Sequence, residues 1–273
     1  MTFNIDKLKQ FANTVRLDML DMIYKSQTSH FGSALSTVEI LTVLYNEILQ
    51  VFPQNPKSEN RDRFFLSKGH ACTSLYAVLA EKGFFDKTLL QTYGDDGSLL
   101  MSHISSFVPG VEFSTGSLGH ALPVALGTAM AGKKKKSDWR VFVLMSDGEL
   151  DEGSNWEAFL AAPNFKLDNL FVVIDCNKIQ AMGETKDIMQ LEPLTDKLLA
   201  FGWNVERVDG HDFESIHNAF QSLFNKNNAR PGIIIADTVK GKGISFMENT
   251  LLWHYKSPNQ EQYLAAQAEL NQI

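Results

Sequence analysis

The sequence predicts an α/β fold: a parallel sheet with helices on both faces, behind a helical N-terminal portion. Two observations carry that prediction. Three short apolar runs rich in β-branched residues, VFVLM (141–145), LFVVID (170–175) and GIIIAD (232–237), read as strands buried on both faces. The intervals between them hold helical stretches such as SNWEAFLAAPNF (154–165) and SIHNAFQSLFNK (215–226), and strands alternating with helices favour parallel pairing. With 273 residues, 44% of them hydrophobic, the chain can bury one large core, so residues 1–273 read as a single domain.

The elements follow in order. Residues 5–26 carry apolar side chains at helical spacing. STVEILTVLYNEILQVF (36–52) is a second expected helix, with Ser36 as N-cap and Glu39 completing a capping box. PQNPKSENRDR (53–63) is a loop rich in breakers, FFL (64–66) a short strand, and 69–82 a helix ending near Gly83. After a turn-rich stretch (94–117), LGHALPVALGTAMAGKK (118–134) reads as a helix whose small residues allow close packing against a sheet or a second subunit. A last short helix falls within SPNQEQYLAAQAEL (257–270).

Composition excludes several function classes. A net charge of −7 and a pI near 5.5 argue against a nucleic-acid partner. The dense basic run Lys133–Lys136 reads as a solvated helix end, where cations suit the helix dipole. Cys72 and Cys176 lie in apolar segments without ligand spacing, so neither a disulfide framework nor a zinc site is expected. No signal-peptide block or membrane-length apolar stretch is present, which predicts a soluble, cytoplasmic chain with no membrane partner.

MSDGELDEGSNWEAF (145–159) places five acids, Asp147, Glu149, Asp151, Glu152 and Glu157, directly after a core strand. Like charge there costs stability unless the carboxylates are solvated or hold a cation. In an open parallel sheet, ligands gather outside the carboxyl ends of the strands. Asp147 and Gly148 sit at one such end and Asn177 at the next, so a carboxylate and an amide oxygen can meet there. Such hard oxygen ligands suit magnesium or calcium, and Gly148 lets the backbone approach a phosphate. Taken alone, the Asp-Gly pair reads first as an ordinary strand-to-helix turn.

The wider spacing changes that reading. Asp147-Gly148, followed thirty residues later by Asn177, resembles the thiamine diphosphate signature. DGELDEGSNWEAFLAAPNFKLDNLFVVIDCNKIQ (147–180) is similar to the transketolase branch of that family. TSHFGSALSTVEIL (28–41), RDRFFLSKGHA (61–71), SHISS (102–106) and GVEFSTGSLGHAL (110–122) resemble the same branch in the same order. So do GWNVERVDGHD (202–212) and PGIIIADTVKGKGISFMEN (231–249), and the likeness covers about residues 14–256.

The resemblance implies the diphosphate-binding fold of that family. Its cofactors would be thiamine diphosphate and Mg2+, or another divalent cation such as Ca2+ or Mn2+. The metal ligands it implies are Asp147, the Asn177 side chain and the Ile179 backbone carbonyl. His70, Gly116, Leu118, Gly148 and His254 fall on the cofactor side, while His30, His103 and again His254 are the catalytic candidates. Glu149 stands with the cofactor-side group, with plain exposure as its alternative, shared with Asp151. Glu152 and Glu157, also counted as catalytic candidates, match an acidic network toward the subunit interface. His211 and His217 read as surface or core residues.

The activity implied is transfer of a two-carbon ketol unit from a ketose or its phosphate to an aldose. Enzymes of this family also carry a pyrimidine-binding domain, whose glutamate activates the cofactor, and no stretch here resembles it. The expectation is therefore the N-terminal subunit of a split transketolase, active only with a separate pyrimidine-domain chain, in an α2β2 assembly. Ser29 and Ser146 stand where the family has glycine and His120 where it has glutamine, which bears on the choice of sugar. Alternatives are another thiamine diphosphate enzyme, such as a 2-oxo acid dehydrogenase-like subunit or one of a specialised sugar pathway, and a non-catalytic, cofactor-binding regulatory paralogue.

Overall fold

A computed structural model describes residues 3–272. The chain opens with helices α1 (Ile5–Ser26), α2 (Phe31–Leu35) and α3 (Val38–Val43), followed by strand β1 (Arg63–Leu66) and helices α4 (Cys72–Glu81) and α5 (Ala121–Lys135). Then come β2 (Val141–Ser146), α6 (Gly153–Asn164), β3 (Leu170–Cys176), α7 (Thr185–Ile188), α8 (Leu194–Ala200) and β4 (Asn204–Asp209). Helix α9 (Phe213–Phe224), β5 (Gly232–Asp237) and α10 (Gln260–Leu270) complete the order. The five strands form one sheet in the order β1-β2-β3-β5-β4, every pair parallel.

The pleat divides the core in two. Phe142, Leu144, Phe171, Val173 and Ile234 face the side covered by α1, α3, α4 and α9. Val141, Val143, Val172, Ile174 and Ile235 face α5, α6 and α8. Each such side chain contributes roughly 1.5–3 kcal/mol on burial, which is why continuous apolar runs mark the inner strands. The expected strands at 64–66, 141–145, 170–175 and 232–237 all form. β4 has no counterpart in the sequence reading, because NVERVD is an edge strand with only its first residue buried.

The expected helix over 36–52 is broken. α3 is short, runs into a wide turn at Leu44–Ile48, and gives way to extended backbone at Leu49. The capping box does not form: the Ser36 hydroxyl donates to the Ser33 carbonyl and to Asp175, while Glu39 is drawn inward to Arg16 and His211. A local motif yields here to buried charges from distant elements. The small residues of α5 pack on the sheet through Ala121, Ala125 and Ala129, whereas Val124 and Met130 are exposed. Lys133, Lys134 and Lys135 occupy its last turn, as the charge pattern predicts. Both cysteines are buried and free. Among the described residues, no helix is long and apolar enough to cross a membrane.

Candidate functional site

β2 and β3 end side by side, with Ser146 in register with Asp175. Asp147 follows the first strand end and Asn177 the second, and both line one cleft. Asp147 is 2% exposed, and its carboxylate accepts the Gly148 N–H at 2.7 Å and the Lys178 N–H at 2.6 Å. Burial, reinforced by the charge of Asp175, pushes its pKa up to about 6. A buried carboxylate in that condition favours a cation beside it. The Asn177 amide donates through Nδ2 to Asp175 at 3.3 Å, so Oδ1 is its outward acceptor, receiving the Ile179 N–H at 3.1 Å. No cluster of three or more His, Cys, Asp or Glu suited to a metal occurs among the described residues. One carboxylate, one amide oxygen and the Ile179 carbonyl form a hard oxygen set, which fits Mg2+, Ca2+ or Mn2+ with further oxygens from an anionic ligand.

These groups open into a cleft of about 260 Å³ lined also by His30, Ser33, Lys68, His70, His103, Gly116, Leu118, Gly148, Gln180 and His254. The four histidines grouped from the sequence converge: the His30 ring centroid lies 5.2 Å from His70, 5.8 Å from His103 and 5.1 Å from His254. His30 adopts the left-handed conformation with φ of 73°, uncommon for a side-chain-bearing residue, and its N–H donates to the His254 carbonyl at 3.0 Å. Ser29 Oγ meets His30 Nδ1 at 3.0 Å. At Gly116 an added Cβ would stand 3.3 Å from the His103 ring, and at Gly148 2.9 Å from Gln180 Cγ.

Two ammonium groups underlie the imidazoles. Lys68 is fully buried and pairs with Asp175, which also accepts from Ser36 at 2.7 Å and from Thr238. Burial alone would raise Asp175, but the Lys68 charge and these donors hold it below the usual carboxylate value. Lys240 Nζ donates to the Ile179 carbonyl at 3.0 Å and lies 2.9 Å from His254 Nδ1. Burial, then the charge of Lys68, lowers Lys240 to about 8. Burial and neighbouring cations lower His30 to about 4 and His254 to about 3, and hold His70 well below its ordinary value. The His30, His70 and His254 rings are therefore neutral near pH 7, and every group that is short of charge here would gain from an anion.

Three acidic candidates fall outside the cleft. Glu149 is neither exposed nor a cleft residue. Its carboxylate is fully buried, accepting from Ser67, from the Gly119 N–H at 2.9 Å and from the Ser146 N–H at 3.4 Å, so it ties the 116–119 loop to the end of β2. Glu152 and Glu157 lie at the start and on the outer face of α6, both exposed. Asp151 is half-buried and accepts from Gln180 at 2.9 Å. His120 is exposed, and His217 packs against Phe3 at 4.6 Å between ring centroids. Lys68, Asp175 and Lys240 were missed. Each is a charged residue inside or beside an apolar run, and that conflict was the available signal.

Residues 7–269 match the family described as transketolase, thiamine diphosphate binding domain. The chain is 41% identical to one of the subunits of the apulose-4-phosphate transketolase of Phocaeicola vulgatus, over 98% of this chain and 95% of that one. It is 40% identical to the 6-deoxy-6-sulfo-D-fructose transketolase subunit SqwG of Clostridium sp. strain MSTE9, over 96% of both. The crystal structure of Campylobacter jejuni transketolase superposes with a TM-score of 0.93 at 32% identity, covering 98% of this chain and 43% of that one. The chain thus spans about two fifths of the length of that transketolase. On this likeness of sequence and architecture, the chain belongs to the transketolase family, in the part that binds thiamine diphosphate.

Proposed function

We propose that this chain is the diphosphate-binding subunit of a two-chain transketolase, working with thiamine diphosphate and a divalent cation. The observation that carries the reading is the pairing of one oxygen-ligand set, Asp147, Asn177 and the Ile179 carbonyl, with a cleft lined by Lys68 and backed by Lys240 behind Ile179 and His254. The ligand set suits the cation, and the cleft suits the diphosphate it would neutralise. When bound, the cofactor supplies a carbon nucleophile that cleaves the bond beside a ketose carbonyl. Lys68 and Lys240 offset the diphosphate charge, and His70 and His254 donate to its oxygens. His30 and His103 orient the sugar hydroxyls and move protons, a role suited to imidazole.

A partner chain is favoured by the mouth of the cleft. Met101 lies two residues before His103, Met182 follows Ala181, and Tyr255 follows His254; they are 50%, 73% and 59% exposed. The Tyr255 hydroxyl donates to the Ala181 carbonyl at 2.6 Å, so two of these segments are joined. Apolar groups rimming a polar cleft are what a covering chain would bury. Both of these relatives are named as subunits, in agreement with this. Val124 and Met130 on α5 and Leu160 and Glu157 on α6 are exposed, and a second copy docking on these helices would complete α2β2. Both relatives also bear the names of unusual ketoses, which favours a specialised sugar over xylulose 5-phosphate as donor.

The test is two-carbon transfer with thiamine diphosphate and Mg2+, for the chain alone and mixed with a candidate pyrimidine-domain chain. Donors would be xylulose 5-phosphate, apulose 4-phosphate and 6-deoxy-6-sulfofructose. Activity is expected in the mixture only, and lost in Asp147→Ala. Activity of the chain alone would end the two-chain reading. A cofactor-loaded complex active on none of the donors would end the choice of sugars.

A further inference from the structure

The turn that carries Lys240 is held on both flanks by one buried trio. On one side the Val239 N–H donates to His211 Nε2 at 2.8 Å. A backbone N–H can only donate, so Nε2 holds a lone pair and the proton of the neutral ring sits on Nδ1. That N–H meets Glu39 Oε2 at 3.0 Å. The other Glu39 oxygen pairs with the Arg16 guanidinium, and Arg16 Nε donates to the Lys242 carbonyl at 3.2 Å. Burial would raise Glu39, but Arg16 and His211 hold it down to about 2, so Glu39 keeps its charge across the working pH range. Glu39 and Arg16 are each 6% exposed.

The backbone of this turn, residues 239–243, has little slack. Gly241 has a φ of +82°, and a Cβ there would stand 2.3 Å from the Met247 carbonyl oxygen; Gly243 has a φ of +97°, with Arg16 Nε at 2.6 Å from such a Cβ. The Gly241 N–H donates to the Gly32 carbonyl at 2.9 Å, next to Ser33 in the cleft. Lys240 itself is 1% exposed, and its ammonium is aimed at Ile179 O and His254 Nδ1. A well-packed apolar trio could hold α1, α3 and the turn between β4 and α9 together as firmly as these polar groups do; what the polar trio adds is directional bonds to Val239 and Lys242, on either side of Lys240.

We propose that Arg16, Glu39 and His211 form a latch on the Lys240 turn, and that His211 is a positioning residue for the Lys240 ammonium. The role rests on the diphosphate reading of the cleft, and the test separates the two. In the full chain, imidazole 15N signals of His211 and His254 are recorded by NMR, and inorganic diphosphate with Mg2+ is titrated by calorimetry. His211 must carry its proton on Nδ1; a ring protonated only on Nε2 overturns the latch, and this is read on the unaltered chain whatever the variants do.

His211→Asn keeps a donor for Glu39 but cannot reach Val239, whereas His211→Gln can still accept from Val239. His211→Asn is expected to shift the His254 Nδ1 signal and to weaken diphosphate binding about five- to tenfold, the effect of one hydrogen bond. His211→Gln is expected to retain both. In a Lys240→Met background, His211→Asn should cost nothing further, since the effect passes through Lys240. A His211→Asn chain with an unmoved His254 signal and parental affinity overturns the proposal, as does an equal loss in both backgrounds. If the unaltered chain takes up no diphosphate, the cofactor reading falls, and the two NMR signals still decide the latch.

Discussion

The Lys240 ammonium lies 2.9 Å from Nδ1 of His254. A protonated lysine only donates, so the His254 proton sits on Nε2, and the ring offers one fixed tautomer to the cleft. This contact joins a group that is costly to bury to one that is useful only in that environment.

Lys240→Met follows directly. Folding lowers the Lys240 pKa from 10.5 to about 8, so the native state resists the charged form. Below about pH 8 the whole penalty is present, and stability rises as pH increases from 8 toward 10.5. The variant should therefore be more stable at pH 7 by about 2–3 kcal/mol, with the gain shrinking toward pH 10. It should also bind diphosphate more weakly. Urea melts at both pH values and calorimetry check the two effects.

Diphosphate binding should take up protons. An anion beside His30, His254 and Lys240 raises pKa values that burial and like charge have lowered. Uptake is expected near pH 8 from Lys240, measured by calorimetry in buffers of different ionisation enthalpy. Without the anion, the chain should lose stability as pH falls through 6.5, because the unfolded histidines take protons that His30 refuses until about 4. Added diphosphate should blunt that loss.

Asp147→Asn should leave a cooperative fold and remove the dependence on divalent cation. In the unaltered chain, chelating the metal should weaken diphosphate binding about ten- to hundredfold, the range of charge-assisted contacts. In the variant, affinity should already be low and indifferent to chelator.

Glu149→Gln places an amide opposite the N–H groups of Gly119 and Ser146, which need an acceptor. The expected cost is about 1–3 kcal/mol in thermal stability. Amide exchange should rise at Gly119 first, since the 116–119 loop loses its anchor to β2.

Lys68→Met strands the buried Asp175 carboxylate and should destabilise by about 3–5 kcal/mol. Adding Asp175→Asn should recover part of that loss in a denaturant melt, because the uncompensated charge is then gone.

Much of this protein was legible in its sequence, for reasons of range. Val141–Met145, Leu170–Asp175 and Gly232–Asp237 announced themselves because a strand buried on both faces must be apolar throughout. Asp147, Asn177 and the four histidines could be grouped from short motifs at set spacing, and they line one cleft. The edge strand Asn204–Asp209 was not, since half of it faces water and its polar residues resemble a loop. Ser36 and Glu39 looked like a capping box, and only the approach of Asp175, Arg16 and His211 from distant elements redirected them. Glu149 read as a cofactor or surface acid until Ser67 and Gly119 came to meet it. Local pattern by itself determined which segments are buried and which candidate residues fall at the ends of β2 and β3. The partners of the buried charges were decided by the tertiary structure, because they come from other elements far along the chain, 107 positions apart for Lys68 with Asp175 and 172 for Glu39 with His211.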